Sequence, residues 1–297
     1  DWGSAMLVEK YIDTAMPNAS QNEKIIASQY VLANCGYNVR LALCGSHVAM
    51  LIPYVEHVFE KSYLNIDGKR YYIYPNVEDE GSFRSCELPK GAELGKDMGL
   101  RFTGKTVIGD EAKPFRYEAA GITLQGEVPT GIMPLLNEYP IVDIPTVAAS
   151  VVDKSLRDDV VKQIRAQVQD LGEQEAANRI LRFIQMGFPY ATDDEQFHRE
   201  KYFYFEESLY YPKNDCEDRA IFYAYLVHEI LGLDVHLIQF PGHECTAVAF
   251  HEPVENGTSY EYKGKKFYIC DPTYIGAKIG KCMPSYAKES PQIEVWY

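Results

Sequence analysis

The stretch LGLDVHLIQFPGHECTAVAF, residues 231–250, decides the fold. It reads as a helix end, a glycine stop at Gly232, a strand over Val235–Phe240, a short turn before His243 and an apolar strand over Thr246–Phe250. The same order occurs earlier, in CGYNVRLALCGSHVAMLI, residues 35–52. The offset is constant, since 232 − 36 and 243 − 47 both give 196. Worked outward, the match runs without a gap from Ser20–Asn76 to Cys216–Pro272. Identical pairs include Ile25/Ile221, Val31/Val227, Gly36/Gly232, Leu41/Leu237, His47/His243, Gly68/Gly264 and Tyr72/Tyr268. Each copy ends its helix at a glycine, which adopts a left-handed cap at little cost. Each closes with a hairpin turning at Gly68 or Gly264 and entering Tyr71–Tyr74 or Phe267–Cys270. A gap-free match through turns, glycines and a histidine points to duplication.

These elements predict an α+β protein in three parts. Residues 1–84 form a degenerate copy, 85–150 a β-rich connecting segment and 151–297 a complete domain. Lys90–Arg116 reads as loops with short strands, Tyr117–Ile144 as short strands and turns, and Val147–Val152 as a strand. Leu156–Met186 carries apolar residues at helical spacing, broken into two helices at Gly172. The counterpart of Ser155–Gln185 falls before residue 1, and the chain opens Asp1-Trp2-Gly3. The first copy is therefore expected to be truncated, as a fragment or a processed form. A removed targeting segment would suit a periplasmic or cell-envelope protein, and a cytoplasmic one is the alternative.

The chain has 297 residues, 46% hydrophobic and 24% charged, with net charge −14. That composition suits a folded chain. The negative charge repels phosphate backbones and anionic membrane surfaces, so nucleic-acid partners are excluded. No apolar run reaches the length of a membrane span. The seven cysteines show no CxxC or zinc-ligand spacing, so no metal or cofactor is expected. Their odd number leaves at least one unpaired within the chain. The 23 tyrosines serve packing, or a sugar- or peptide-binding surface.

The chemistry is concentrated in YYPKNDCEDRA, residues 210–220. Pro212, Asn214 and Asp215 are turn and cap residues, which puts Cys216 in the first turn of the helix that follows. Unpaired backbone N–H groups and the helix dipole there favour a thiolate and are expected to lower the thiol pKa. The same groups can receive an oxyanion. A thiol nucleophile wants a base, and the base an orienting partner. His243 follows 27 residues after Cys216, and Asp271 a further 28. Neighbouring antiparallel strands would let His243 and Asp271 meet. Asp215 and Asp218 read as caps or partners of Arg219. Cys245 and Cys270 read as core, and His57, His198, His228, His236 and His251 as structural or exposed. In the first copy Ser20 replaces the cysteine and Pro75 the aspartate. A proline side chain cannot orient an imidazole, so that copy is read as non-catalytic.

Asp-Cys-x-Asp-Arg, then Gly-His before an apolar strand, then Asp-Pro-Thr-Tyr resembles the transglutaminase-like superfamily over about Glu175–Ile275. Phe188-Pro189-Tyr190, Asp194-Glu195-Gln196-Phe197 and Glu206-Glu207 are similar to the approach to the cysteine in bacterial, Bacteroidetes-like members. The resemblance implies a papain-like fold and a triad of Cys216 as nucleophile, His243 as base and Asp271 as orienter. It implies acyl transfer on an amide through a thioester, with a peptide or protein as substrate. Hydrolysis by a peptidase or amidase is the first expectation. A crosslinking transglutaminase and an inactive binding or scaffold protein are the alternatives. Tyr210, Tyr211 and Gln196 are candidates for a second oxyanion donor.

Overall fold

A computed structural model of the chain describes residues 2–75, 82–87, 95–104 and 109–294. It is a mixed α+β structure that divides into two compact units. The first comprises Asp1–Arg101 with Glu138–Asp143, and the second Phe102–Asn137 with Ile144–Tyr297. The stretch expected as a connector is thus shared between them. Of its loop region, residues 90–94 and 105–108 lie outside the described residues. No helix among the described residues is long and apolar enough to cross a membrane.

The first unit runs α1 (Trp2–Ala15), α2 (Gln21–Asn34), β1 (Arg40–Cys44), β2 (His47–Ile52), β3 (Tyr63–Ile66), β4 (Lys69–Tyr74) and β5 (Arg84–Ser85). Its strands form an antiparallel sheet in the order β3-β4-β2-β1-β5. The second unit begins with β6 (Ala112–Ala119) and β7 (Ile122–Pro129), which form a hairpin. Helices α3 (Met133–Asn137), α4 (Ile144–Ala149), α5 (Lys154–Val168), α6 (Glu173–Gly187), α7 (Asp193–Phe197), α8 (Glu207–Tyr210) and α9 (Cys216–Leu231) follow. Then come β8 (Asp234–Phe240), β9 (His243–Ala249), β10 (Ser259–Tyr262), β11 (Lys265–Cys270) and β12 (Gln292–Glu294). These five form an antiparallel sheet in the order β10-β11-β9-β8-β12.

The duplication read from the sequence is carried into strand register. Leu41 pairs with Met50 and Leu237 with Thr246; Met50 pairs with Tyr74 and Thr246 with Cys270. Tyr63 pairs with Tyr72 and Ser259 with Tyr268. Each pair is its counterpart shifted by 196. Core positions repeat as well. Ala42, Ala49, Leu51, Tyr71 and Ile73 are clustered in the first unit. Ile238, Cys245, Ala247, Phe267 and Ile269 are clustered in the second. A one-residue slip would send every one of these side chains to the wrong face, so the burial of both clusters fixes both registers. Gly36 and Gly232 take φ +86° and +70°, the left-handed backbone that ends a helix most cheaply at glycine.

Gly172 caps α6 and separates it from α5, as the sequence indicates. The expected strand at Val147–Val152 is instead largely helix, α4 over Ile144–Ala149. β-branched residues favour strands only where a partner strand is available. Here Val147 and Ala148 are buried within a single short helix, and only Val151 makes a bridge, to Thr103. The region expected as several short strands holds one hairpin of two eight-residue strands. Two buried ion pairs, Arg157–Glu206 at 2.7 Å and Lys201–Glu207 at 2.6 Å, fix the segment that leads to α9. Removing one partner of such a pair costs about 3–5 kcal/mol, because the other charge is left buried and alone.

Candidate active site

The site is built where α9 begins against the start of β9. Helix α9 starts at Cys216 because Asp215 has extended backbone and its N–H is accepted by Asp218 Oδ2 at 3.2 Å. That reciprocal reach toward a helix start is the capping role expected of the pair. Arg219 donates to Asn214 Oδ1 at 3.0 Å and to the Phe188 carbonyl, rather than pairing with either aspartate. Asn214 in turn exchanges backbone bonds with Pro189 and Ala191. These contacts hold Tyr190 beside the first turn of α9.

His243 is the first residue of β9, and Asp271 follows the last residue of β11. Their strands are antiparallel neighbours, with Thr246 opposite Cys270. The register carries the imidazole to the carboxylate, and His243 Nε2 meets Asp271 Oδ2 at 2.9 Å. Asp271 Oδ1 accepts the backbone N–H groups of Thr273 and Tyr274 at 2.9 and 3.0 Å. With the Nε2 proton directed at a carboxylate, the Nδ1 lone pair is the one left for chemistry. Tyr286 stacks on the ring, 5.3 Å between centroids and 4° from parallel. Gln185, at the buried end of α6, donates to the carbonyls of Asp271, Tyr274 and Ala277 and accepts from Gly276 N–H. It ties down the loop that carries the carboxylate.

Cys216 and His243 line one cleft of about 340 Å3. The cysteine is half-buried, and the histidine is 8% exposed. No hydrogen bond joins sulfur to imidazole among the described residues. The thiol donates instead to Glu217 Oε2 at 3.1 Å. Here the sequence expectation is corrected. Burial pushes the Cys216 thiol up, and the Glu217 and Asp215 carboxylates add to the rise, while the Glu244 backbone N–H pulls the other way. A helix terminus favours a thiolate only when burial and nearby carboxylates do not outweigh it. The same crowding acts on the carboxyls. Burial raises Glu244 to about 9 and Asp193 to about 7, with neighbouring carboxylates contributing to both.

Other expectations resolve plainly. No disulfide joins two cysteines among the described residues, and Cys245 and Cys270 are buried. His236 is buried against Phe267 and bonded to the Tyr260 hydroxyl. Among the oxyanion candidates, Gln196 donates to the Lys213 carbonyl and Tyr210 packs edge-on against Tyr211; none of the three lines the cleft. A cleft of about 360 Å3 around Leu233, His251 and Lys265 has no cysteine in its wall. Sequence reading missed Gln185, Glu217, Glu244 and Tyr286. Gln185 had a signal, a polar residue beside Phe183 and Ile184 on a buried helical stripe. Glu244 had another, a charge inside an otherwise apolar strand.

No protein-family model matches the chain, and no curated protein matches it either.

Proposed function

We propose that the second unit carries a papain-like, transglutaminase-like site that transfers an acyl group from an amide through a thioester at Cys216. The observation that carries the reading is the His243–Asp271 pair, 2.9 Å apart, opening on the cleft that Cys216 lines. In the proposed cycle His243 Nδ1 takes the Cys216 proton, and the sulfur attacks the amide carbon. The Glu244 backbone N–H, already directed at the sulfur, favours the thiolate. The tetrahedral intermediate collapses as His243 passes its proton to the leaving amine and the C–N bond breaks. A water molecule, deprotonated by His243, then attacks the thioester, giving the acid and restoring the thiol. Asp271 orients the ring and stabilises the imidazolium. Catalytic hydrogen bonds are often long or absent until substrate binds, so an unmade sulfur–imidazole bond is compatible with this role.

A specific observation favours a second reading, a binding or scaffold protein with an unused site. The thiol is held by Glu217 and kept protonated by its surroundings. Peptide and glycopeptide amides incubated with the protein, with Cys216→Ala as control, separate the two readings. Hydrolysis together with an acyl adduct on residue 216 in the mass spectrum is the expected result. No turnover and no adduct across the set would support the scaffold. Turnover only with an added amine would identify a transglutaminase.

A further inference from the structure

The wall of the cleft has an unusual charge balance. Asp193, Asp194, Glu200, Asp215, Glu217 and Glu244 line it, and no lysine or arginine does among the described residues. The carboxylate oxygens of Asp193, Asp215 and Glu217 lie within 4.8 Å of one another. Acidic clusters are common on surfaces, so that alone assigns nothing. A second observation does. Glu244 is 3% exposed, and neither of its carboxylate oxygens has a hydrogen-bond partner among the described residues. Asp215 is 6% exposed and leaves Oδ1 unpartnered as well. A buried carboxyl without a partner is unfavourable, because nothing replaces the water it has lost. Both residues line one cleft beside a nucleophile. Arg219 is bonded to Asn214 and Phe188, and Lys201 is paired with Glu207.

We propose that this cleft receives an amide substrate with a primary ammonium group next to its acyl carbon, the ammonium held among Asp193, Asp215, Glu217 and Glu244. The proposal rests on the reading of Cys216 as nucleophile and names the substrate class of that site. Tyr190 and Tyr202 also line the cleft. Aromatic faces attract organic ammonium groups, and with carboxylates they form the usual lining for one. A bare metal ion gains nothing from tyrosine rings and would not need a cleft of about 340 Å3. The ammonium also offsets the charge that holds the Cys216 proton in place. Glu217 then has a cation to bond, and the thiol can turn to His243. The bound amine is a recognition group rather than the acyl acceptor. An attacking amine must lose its proton, which a ring of carboxylates opposes, so water remains the acceptor.

The test has a binding arm and a reaction arm. In the first, Cys216→Ala is melted with L-alaninamide, with N-acetyl-L-alaninamide and with calcium or magnesium chloride. A rise in Tm with the free-amine amide, absent with the acetylated one and lost in Glu217→Gln, is expected. Equal effects of the two amides, no effect of either, or a rise confined to the divalent metals would overturn the proposal. In the second arm, the wild-type chain is treated with 2-aminoethyl and 2-sulfonatoethyl methanethiosulfonate. Exposed Cys35 serves as the internal reference. The cation-to-anion rate ratio at Cys216 should exceed that at Cys35 by about tenfold or more, and fall in Glu217→Gln. Equal ratios at both thiols, with Cys216 still fast and His243-dependent, would sink the ammonium site and leave the acyl-transfer reading standing. Charge-selective amide binding with an inert Cys216 would do the reverse.

Discussion

The two copies share a sheet order, a register and a glycine-capped helix, yet only the second brings chemistry together. The difference lies in what meets the helix start. In the first copy Ser20, at the position of Cys216, is exposed and locked in a capping box with Glu23, its hydroxyl donating to Glu23 Oε2 at 2.7 Å. Asn22 straps α2 to the hairpin turn, donating to the Ser46 carbonyl and accepting from Val48 N–H. His47 is exposed, and Pro75 offers it no acceptor. In the second copy Asp218 occupies the position of Asn22 and turns to the Phe203 and Asp215 N–H groups instead. The helix start is thereby bonded to the upstream segment rather than to the hairpin turn. A cleft opens between that segment and His243. One scaffold thus gives a closed cap or an open site according to one strap and one upstream segment.

Five substitutions break or sharpen this contrast. The largest effect is expected from Asp271→Ala. It strips His243 Nε2 and two backbone N–H groups of their acceptor. Turnover should fall about 10³–10⁴-fold, the scale seen when a triad orienter is removed. Stability should fall by about 2–4 kcal/mol in denaturant titration. Pro75→Asp, the mirror change, should confer no reactivity on the first copy. Gln185→Ala comes next, because four backbone groups, two of them in buried bonds, lose their partner at once. A loss of about 2–4 kcal/mol is expected, with a lower kcat at nearly unchanged KM as the Asp271 loop drifts.

Glu244→Gln tests the electrostatics of the cleft. A carboxyl raised to about 9 in the fold binds more protons folded than unfolded between its ordinary range and that value. Its contribution to stability is therefore present at low pH and lost as pH rises through about 9. The wild-type melting temperature should decline between about pH 5 and pH 9 more steeply than that of Glu244→Gln. Parallel curves would contradict the burial of an ionisable group there. The smallest effect belongs to His47→Ala. Replacing an exposed side chain there should change stability by less than about 0.5 kcal/mol and leave turnover untouched.

Much of this was legible before any coordinates. Glycines at 36, 68, 232 and 264 fix turn geometry, and alternating apolar positions fix strand faces, so both sheets and the helix stops could be read directly. The meeting of His243 and Asp271 was legible only on the condition that their strands are antiparallel neighbours, which they are. The stretch 144–152 was not legible, because valines and alanines there suit a buried helix as well as a strand. Nor was the acidic lining. Asp193, Glu217 and Glu244 are far apart in sequence, and isolated acids usually face water. Only the fold gathers them into the wall of one cleft. There burial first, and the Glu217 and Asp215 carboxylates next, reverse the pKa direction expected from the helix terminus.

The most direct measurement is the rate at which iodoacetamide alkylates Cys216 near neutral pH, followed by peptide mass in the wild-type chain and in His243→Ala, with Cys35 as reference. Cooperation between thiol and imidazole requires Cys216 to be slowed about tenfold or more in the variant while Cys35 is unchanged. An identical Cys216 rate in both proteins would mean that the two side chains share a cleft without sharing a proton.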